Sequence, residues 1–253
     1  MKKVVIYQKW GGLGDNLAHT TIPKLCKEYG YECFLSKHNK FRNDEMKSIM
    51  FKGIPIIDEI NESWIDNYSI LQTKEWNHIR SIQLGYGFKT APYSYPFIDY
   101  EPKLIKELEN KTLVDLSGLH LFTYHSHIFN KDNLTKVYNK ILSLSNDFTD
   151  VLKVEKPNYK SNEVVVAENK YKINSLFEYC DALYSCKNFI TIDSGQSNLA
   201  ATIKNQFLEN KKLNIYTISL QSKLPPVNYN SYFYLNTNHI ALDNGTMHKA
   251  QNK

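Results

Sequence analysis

Apolar residues fall along this chain in short blocks divided by polar runs, and the period within each block predicts its element. Val4 to Tyr7 is a continuous β-branched and aromatic run, the pattern of a buried strand. It empties into Gly11, Gly12 and Gly14, with Asp15 the single acid of the turn. Leu17, Ala18, Ile22 and Leu25 then recur at irregular helical spacing, which predicts a helix starting near Gly14 to Asn16 and broken or kinked at Pro23. Glu32 to Ser36 predicts a second strand, Asn43-Asp44-Glu45 the start of a short helix to Phe51, and Ile54 to Ile57 a third strand. Two more strands are expected over Tyr68 to Gln72 and Ser81 to Leu84. Alternating β and α elements up to about residue 100 are the pattern of a parallel sheet. Residues 86–102, dense in Gly, Pro and aromatic side chains, predict a loop and the approach to a domain boundary.

The register restarts beyond it. Pro102 to Leu108 predicts a short helix, Lys111 to Leu116 a strand, and Asn133 to Leu144 an amphipathic helix with Leu134, Val137, Ile141 and Leu144 on one face. Glu163 to Ala167 predicts a buried strand, and Ser175 with Glu178 gives the capping-box spacing of a helix that runs to about Ser185. A strand from Phe189 to Ile192, a turn over 193–197, a helix from Asn198 to about Lys204 and a strand from Leu213 to Ser219 complete the series. From Asn236 the chain is polar with few apolar anchors and reads as loop or frayed end. The simplest summary is an α/β chain of two βα domains in tandem, 1–105 and 106–235, followed by a polar tail, 236–253.

Composition narrows the class. With 253 residues, 42% hydrophobic and 23% charged, the chain can bury a sizeable core. The net charge of +5 is small against 31 basic and 26 acidic side chains, and the two signs are interspersed, so no basic stripe marks a nucleic-acid footprint. Cys26, Cys33, Cys180 and Cys186 lack metal-ligand spacing, which favours reduced thiols over disulfides or zinc. Lys2-Lys3 is followed by too short an apolar run for a signal-peptide core, and no run approaches a membrane span. A cytoplasmic protein is expected; if it serves a membrane, it does so peripherally, at the inner face.

Chemistry concentrates at three strand-to-turn junctions. At Gly11 to Asn16, glycines bring main chain close to a ligand, and amides at the helix start can receive an anion. Asp15 there is either an N-cap or a functional carboxylate. The spacing is not the dinucleotide fingerprint, because Leu17 stands where the third glycine belongs. At Asp193-Ser194-Gly195-Gln196-Ser197, a buried strand ends in small polar residues before a helix, which makes either a capped helix or a phosphate receptor. The third junction, Asp115-Leu116-Ser117-Gly118, leads into a loop with His120, His125 and His127. His120 and His125 read either as solvated loop histidines or as phosphate or acid/base contacts. No third ligand is placed for a metal, so neither metal nor cofactor is expected.

Gly12-Leu13-Gly14-Asp15-Asn16-Leu17, followed by Thr20-Thr21-Ile22-Pro23, resembles the amino-terminal G-x-GD-x-L-x-T-x-P signature of the ADP-heptose:lipopolysaccharide heptosyltransferase family. Asp193-Ser194-Gly195, with Leu199-Ala200-Ala201, resembles that family's carboxyl-terminal D-S-G-P-M-H-L-A-A motif. The resemblance implies a GT-B fold: two Rossmann-like domains with parallel sheets facing a cleft, the acceptor mainly on the first, a nucleotide-sugar on the second, and no obligatory metal. Carried over by position, it implies that Asp15 is a general base on an acceptor hydroxyl, with Gly12, Gly14 and Asn16 on the acceptor-side loop. It implies that Asp193, Ser194 and Gly195, continued by Gln196 and Ser197, form the donor turn, with Ser117 and Gly118 as a second phosphate-contacting loop. Gln196, Ser197 and Asn198 depart from the family's Pro, Met and His, and His120, His125, Lys131 and Lys223 are unranked candidates to neutralise the diphosphate.

The leading expectation is an inverting, metal-independent transferase that moves a sugar from a nucleotide-sugar to a hydroxyl of a cell-surface glycan or glycolipid precursor. Its first rival is a catalytically silent nucleotide- or glycan-binding module. The second, a dinucleotide-dependent enzyme, is disfavoured because neither glycine turn carries the fingerprint.

Overall fold

The computed structural model describes residues 2–65, 78–88, 95–117, 131–143, 148, 150–156, 169–192, 194–208, 213–219, 237–241 and 247–249. They divide into two units, Met1–Tyr100 with Asn228–Phe233, and Glu101–Val227 with Tyr234–Lys253.

In the first unit, β1 (Lys3–Ile6) pairs in parallel with β2 (Glu32–Ser36), which pairs in parallel with β3 (Ile56–Ile57). Between β1 and β2 lie α1 (Leu13–His19) and α2 (Thr21–Glu28), and α3 (Asp44–Met50) connects β2 to β3. Val4, Val5, Ile6, Leu17, Ile22 and Leu25 are buried, as the apolar stripe requires. The helix break falls at Thr20 and not at Pro23. Thr20 caps α1 by donating its hydroxyl to Leu17 O at 2.6 Å, while Pro23 occupies the third position of α2, where a missing N–H leaves no bond unmade. Asn43 caps α3 as expected, its side chain accepting from Met46 N at 3.0 Å.

The segment Ser81 to Leu84, expected as a strand, lies within helix α4 (His78–Gly85). Ile79, Ile82 and Tyr86 share its buried face at helical spacing, and a four-residue window is too short to distinguish that period from a buried strand. The expected strand over 68–72 lies outside the described residues.

The second unit is built on a seven-stranded sheet in the order β10-β9-β8-β7-β4-β5-β6. Its strands are β4 (Thr112–Asp115), β5 (Val151–Glu155), β6 (Asn169–Lys172), β7 (Asn188–Ile192), β8 (Asn214–Ser219), β9 (Thr237–Ala241) and β10 (Met247–Lys249). All neighbours pair in parallel except β10 with β9. The helices are α5 (Lys131–Ser143), α6 (Leu176–Ser185) and α7 (Gly195–Phe207). β4 and β7 are buried along their whole length, at the centre of the sheet. Ser175 caps α6 by accepting from Glu178 N at 3.0 Å. Two expectations are corrected here. Residues 102–108 contain only a 3₁₀ turn, Lys106–Leu108, and the segment read as a polar tail supplies β9, paired in parallel with β8, and β10, paired antiparallel with β9. The strand expected at 163–167 lies outside the described residues.

All four cysteines are free thiols. Among the described residues, no helix is long and apolar enough to cross a membrane, and no cluster of His, Cys, Asp and Glu could hold a metal ion.

Candidate functional site

In the first unit, β1 runs on through Tyr7 and Gln8 into a turn that the main chain alone could not hold. Gln8 is buried and does much of the fixing: its Oε1 accepts from Gly11 N at 2.8 Å, its own N donates to Asn39 Oδ1 at 2.5 Å, and its carbonyl accepts from Lys40 N at 2.9 Å. Gly11 sits at φ 73°, where a Cβ is disfavoured. Asn16, expected on the acceptor-side loop, is buried, and its amide donates to Gly12 O at 3.0 Å and Lys40 O at 3.2 Å. It clamps the turn from beneath.

Gly12 is the N-cap of α1, with Gly14 in the first turn and Asp15 one residue further on. Asp15 is half-buried and stands at the third position of α1, so the cap position belongs to Gly12 and not to Asp15. The carboxylate lies over the bare α-carbon of Gly12: a Cβ there would stand 3.4 Å from Asp15 Cγ and collide with Oδ2. The Asp15 carbonyl accepts from His19 Nδ1 at 2.7 Å. A carbonyl cannot donate, so Nδ1 carries the proton. Burial lowers the His19 pKa to about 4, which keeps the ring neutral, and its Nε2 is buried without a hydrogen-bond partner. The ring meets Trp64 and Tyr86 edge-on at 4.7 and 5.9 Å between centroids. Trp64 and Tyr86 in turn hold the end of β1, Nε1 of one and OH of the other donating to Tyr7 O at 2.8 and 3.3 Å.

In the second unit, the parallel strands read β6-β5-β4-β7-β8-β9, the 3-2-1-4-5-6 order of a dinucleotide-binding sheet. Strand order reverses between β4 and β7. Ligands of such sheets bind outside the carboxyl ends of the strands at that point, here after Asp115 and Ile192.

Both ends carry polar constructions. Asp115 is buried, and its Oδ1 accepts from Ser117 N at 3.1 Å and Ser117 Oγ at 2.5 Å. Its Oδ2 accepts from Tyr179 OH at 2.6 Å and pairs with Lys156 Nζ at 2.5 Å. Burial pushes the Asp115 carboxyl up, but the charge and hydrogen bond of Lys156, with those of Ser117 and Tyr179, hold it below its ordinary value. Burial first, and the Asp115 charge second, push the Tyr179 phenol well above its usual range. Lys156 follows β5, lies 4.4 Å from the centroid of the Tyr179 ring, and keeps 17% of its side chain exposed. It therefore brings a cation to the carboxyl edge of the sheet beside the point of reversal.

Across that point, Ser194 caps α7. Ser197 Oγ accepts from Ser194 N at 3.1 Å and donates to Ser194 O at 2.7 Å, and the Ser194 hydroxyl lies 3.1 Å from Ile192 O and 2.5 Å from Gln196 Oε1. The hydroxyls are spent on the turn. The first amides of α7, at Gly195 and Gln196, have no partner within an α-helix and point out of its N-terminus. This edge can receive a phosphate with helix amides on one side and Lys156 on the other.

The structure thus brings Ser117, Ser194, Gly195, Gln196 and Ser197 to one edge of one sheet, and Asp15, Gly12, Gly14 and Asn16 to one turn of the other unit. Asp193, Gly118, His120 and His125 lie outside the described residues. Sequence reasoning missed Lys156, Tyr179 and His19. Only His19 carried a local signal, its placement four residues after Asp15 on a helix; Lys156 and Tyr179 meet Asp115 only through the sheet order.

No protein-family model and no curated protein matches the sequence. Solved structures do. The iron-containing dodecameric glycosyltransferase TibC from enterotoxigenic E. coli H10407 is 14% identical with a TM-score of 0.53, over 86% of this chain and 59% of that one. TibC as a heptosyltransferase in complex with ADP-D-β-D-heptose is 17% identical with a TM-score of 0.56, over 92% of this chain and 60% of that one. The E. coli ADP-heptose lps heptosyltransferase II is 12% identical with a TM-score of 0.53, over 95% of this chain and 90% of that one. The chain spans about 60% of the length of the TibC chains it matches. Two α/β units on parallel sheets, with these neighbours, give it the GT-B glycosyltransferase fold.

Proposed function

We propose that this chain, with the fold of the heptosyltransferases it resembles, is a glycosyltransferase that moves a sugar from a nucleotide-sugar to a hydroxyl of a cell-surface glycan precursor. The observation that carries the reading is the strand reversal between β4 and β7, with Lys156 and the amides of α7 on its two sides. That is where a nucleoside diphosphate would rest. The first unit takes the acceptor at the Gly11 to Asp15 turn.

In this mechanism Asp15 accepts the proton of the acceptor hydroxyl as its oxygen attacks the anomeric carbon from the face opposite the diphosphate. The new glycosidic bond forms, the bond to the diphosphate oxygen breaks with its electron pair, and the anomeric configuration inverts. Charge growing on the leaving diphosphate is met by the α7 amides and Lys156, so the step calls for neither a metal nor a side-chain nucleophile.

Thermal shift against nucleoside diphosphates and nucleotide-sugars tests the donor site, since a ligand that binds only the folded state raises the melting temperature. Release of nucleoside diphosphate from a nucleotide-sugar panel in the presence of glycan acceptors tests the chemistry. Asp15→Asn is expected to lose transfer by at least about a hundredfold with the nucleotide-induced shift kept. Near-normal turnover in that variant overturns the assigned base, and nucleotide binding without turnover on any donor favours the silent binding module.

A further inference from the structure

Trp10 stands between β1 and α1, two residues before Gly12, and is 46% exposed, far from the burial usual for its type. Its ring is nonetheless held. It packs edge-to-face against Trp64, with centroids 5.7 Å apart and planes at 88°. Trp64 is fully buried, bonded through Nε1 to Tyr7 O at 2.8 Å and stacked on Tyr86 at 5.6 Å. The same Trp64 ring meets His19, whose Nδ1 holds the carbonyl of Asp15. Trp10 and the backbone of Asp15 are therefore tied to one aromatic wall. One residue, Gly11, separates Trp10 from the glycine over which the Asp15 carboxylate lies, a span of about 7 Å between α-carbons at most. Lys9 Nζ lies 5.8 Å from the Trp10 centroid.

We propose that Trp10 is the platform on which the acceptor's pyranose ring stacks, so that one of its hydroxyls is presented to Asp15. This rests on the reading of the first unit as the acceptor side. A pyranose has an apolar face of C–H bonds and a rim of hydroxyls. The positive C–H face is attracted to the electron-rich face of an indole, and the rim needs hydrogen-bond donors beside it. An indole already fixed by Trp64 gives that contact at little cost in ordering, and the Lys9 ammonium, over the Trp10 ring on a flexible stem, would turn off the ring to donate to a hydroxyl at the rim. Trp10 is a positioning residue: it sets where the ring lies, and Asp15 acts on the hydroxyl.

The test uses saturation-transfer NMR on the whole protein with the methyl glycosides of glucose, galactose, mannose and N-acetylglucosamine, and on Trp10→Ala and Trp10→Phe. Transfer is expected to the protons of one ring face in the wild type. Trp10→Ala should weaken binding of that glycoside by about tenfold or more, and Trp10→Phe should restore most of it. Thermal shift by nucleoside diphosphates, read on the same three proteins, should be equal. Absence of ring-face transfer from every glycoside, equal binding by Trp10→Ala, or a nucleotide shift lost in Trp10→Ala each overturns the platform. So does a Trp10-dependent blue shift of emission on phosphatidylglycerol vesicles without glycoside binding, which makes the residue a membrane anchor. If the wild type shows no nucleotide shift while the glycoside result holds, the transferase reading fails and the Trp10 subsite stands.

Discussion

Gly12→Ala separates the seat of Asp15 from the fold around it. The backbone at Gly12, φ −67° and ψ 149°, is open to any residue, so alanine brings no torsional strain. At an N-cap the exchange costs about 1 kcal/mol or less, a loss of roughly 2–4 °C in Tm for a chain of this size. The new methyl group has one conflict. It would stand 3.4 Å from Asp15 Cγ and inside the van der Waals surface of Oδ2, which must swing away by roughly 1 Å to reach an ordinary contact. The side chain can do that cheaply, since only its far end moves. A base working over a hydrogen bond cannot, and a misplacement of about 1 Å costs on the order of a hundredfold, or about 2.7 kcal/mol of barrier. Nucleoside diphosphate release under saturating donor and acceptor, with calorimetric melting of the same samples, reads both effects. The expected outcome is kcat down by about a hundredfold with Tm nearly unchanged. A kcat within about threefold of wild type would refute the reasoning, because the carboxylate would then act equally well from another seat. A Tm loss above roughly 10 °C would do so too, by making Gly12 a folding residue.

Two further outcomes follow from the buried ionisable groups. Lys156→Met strips the Asp115 carboxylate, 1% exposed, of its cation, and urea unfolding at pH 7 should show a loss of about 3–5 kcal/mol that Lys156→Met with Asp115→Asn partly recovers. Without the lysine, burial dominates and raises the Asp115 pKa, so this deficit should narrow as pH falls towards 5; a deficit below about 1 kcal/mol and flat with pH would show that the pair is not coupled. For His19, burial puts the folded pKa at about 4 against an ordinary 6.5. The unfolded chain then binds the extra proton first, so stability present above pH 6.5 is lost as pH falls towards 4, by about 3 kcal/mol from this group. Urea midpoints from pH 7 to 4.5 should fall for wild type and remain flatter for His19→Gln, and equal slopes would sink the assignment.

What the sequence made legible is what depends on local chemistry. Val4 to Tyr7 announced β1 through side chains that suit a buried strand, and Asn43 and Ser175 announced helix starts because capping is decided within three residues. What stayed hidden depends on partners distant in the chain. β6 reads Asn169-Lys170-Tyr171-Lys172 and β10 reads Met247-His248-Lys249, and both are sheet edges, where lysine is tolerated and no apolar alternation marks the strand. Asp115 showed in the sequence as a junction residue, but its meaning came from Lys156 and Tyr179, 41 and 64 positions away. Gly12 to Asn16 and Ser194-Gly195 do stand at strand-to-helix turns, but Gln8 and Asn39, which hold the first turn, and Lys156, which charges the edge beside the second, belong to no motif.

The Ser194 turn shows why capping and anion binding need not compete. A cap hydroxyl that also had to hold a phosphate would leave the helix start to rearrange each time the ligand departed. Here Ser197 Oγ bonds both the amide and the carbonyl of Ser194, and the Ser194 hydroxyl lies against Ile192 O and Gln196 Oε1, so the turn is closed by its own side chains. That closure fixes the Gly195 and Gln196 amides in the direction in which a helix of 13 residues projects its positive end. Asp115 plays the matching part after β4, where it immobilises Ser117 and, through Oδ2, anchors Lys156. On both sides of the strand reversal the polar side chains are consumed in rigidifying the groups that the proposed reading sets against a diphosphate, and under that reading a charge developing there would meet donors already in place.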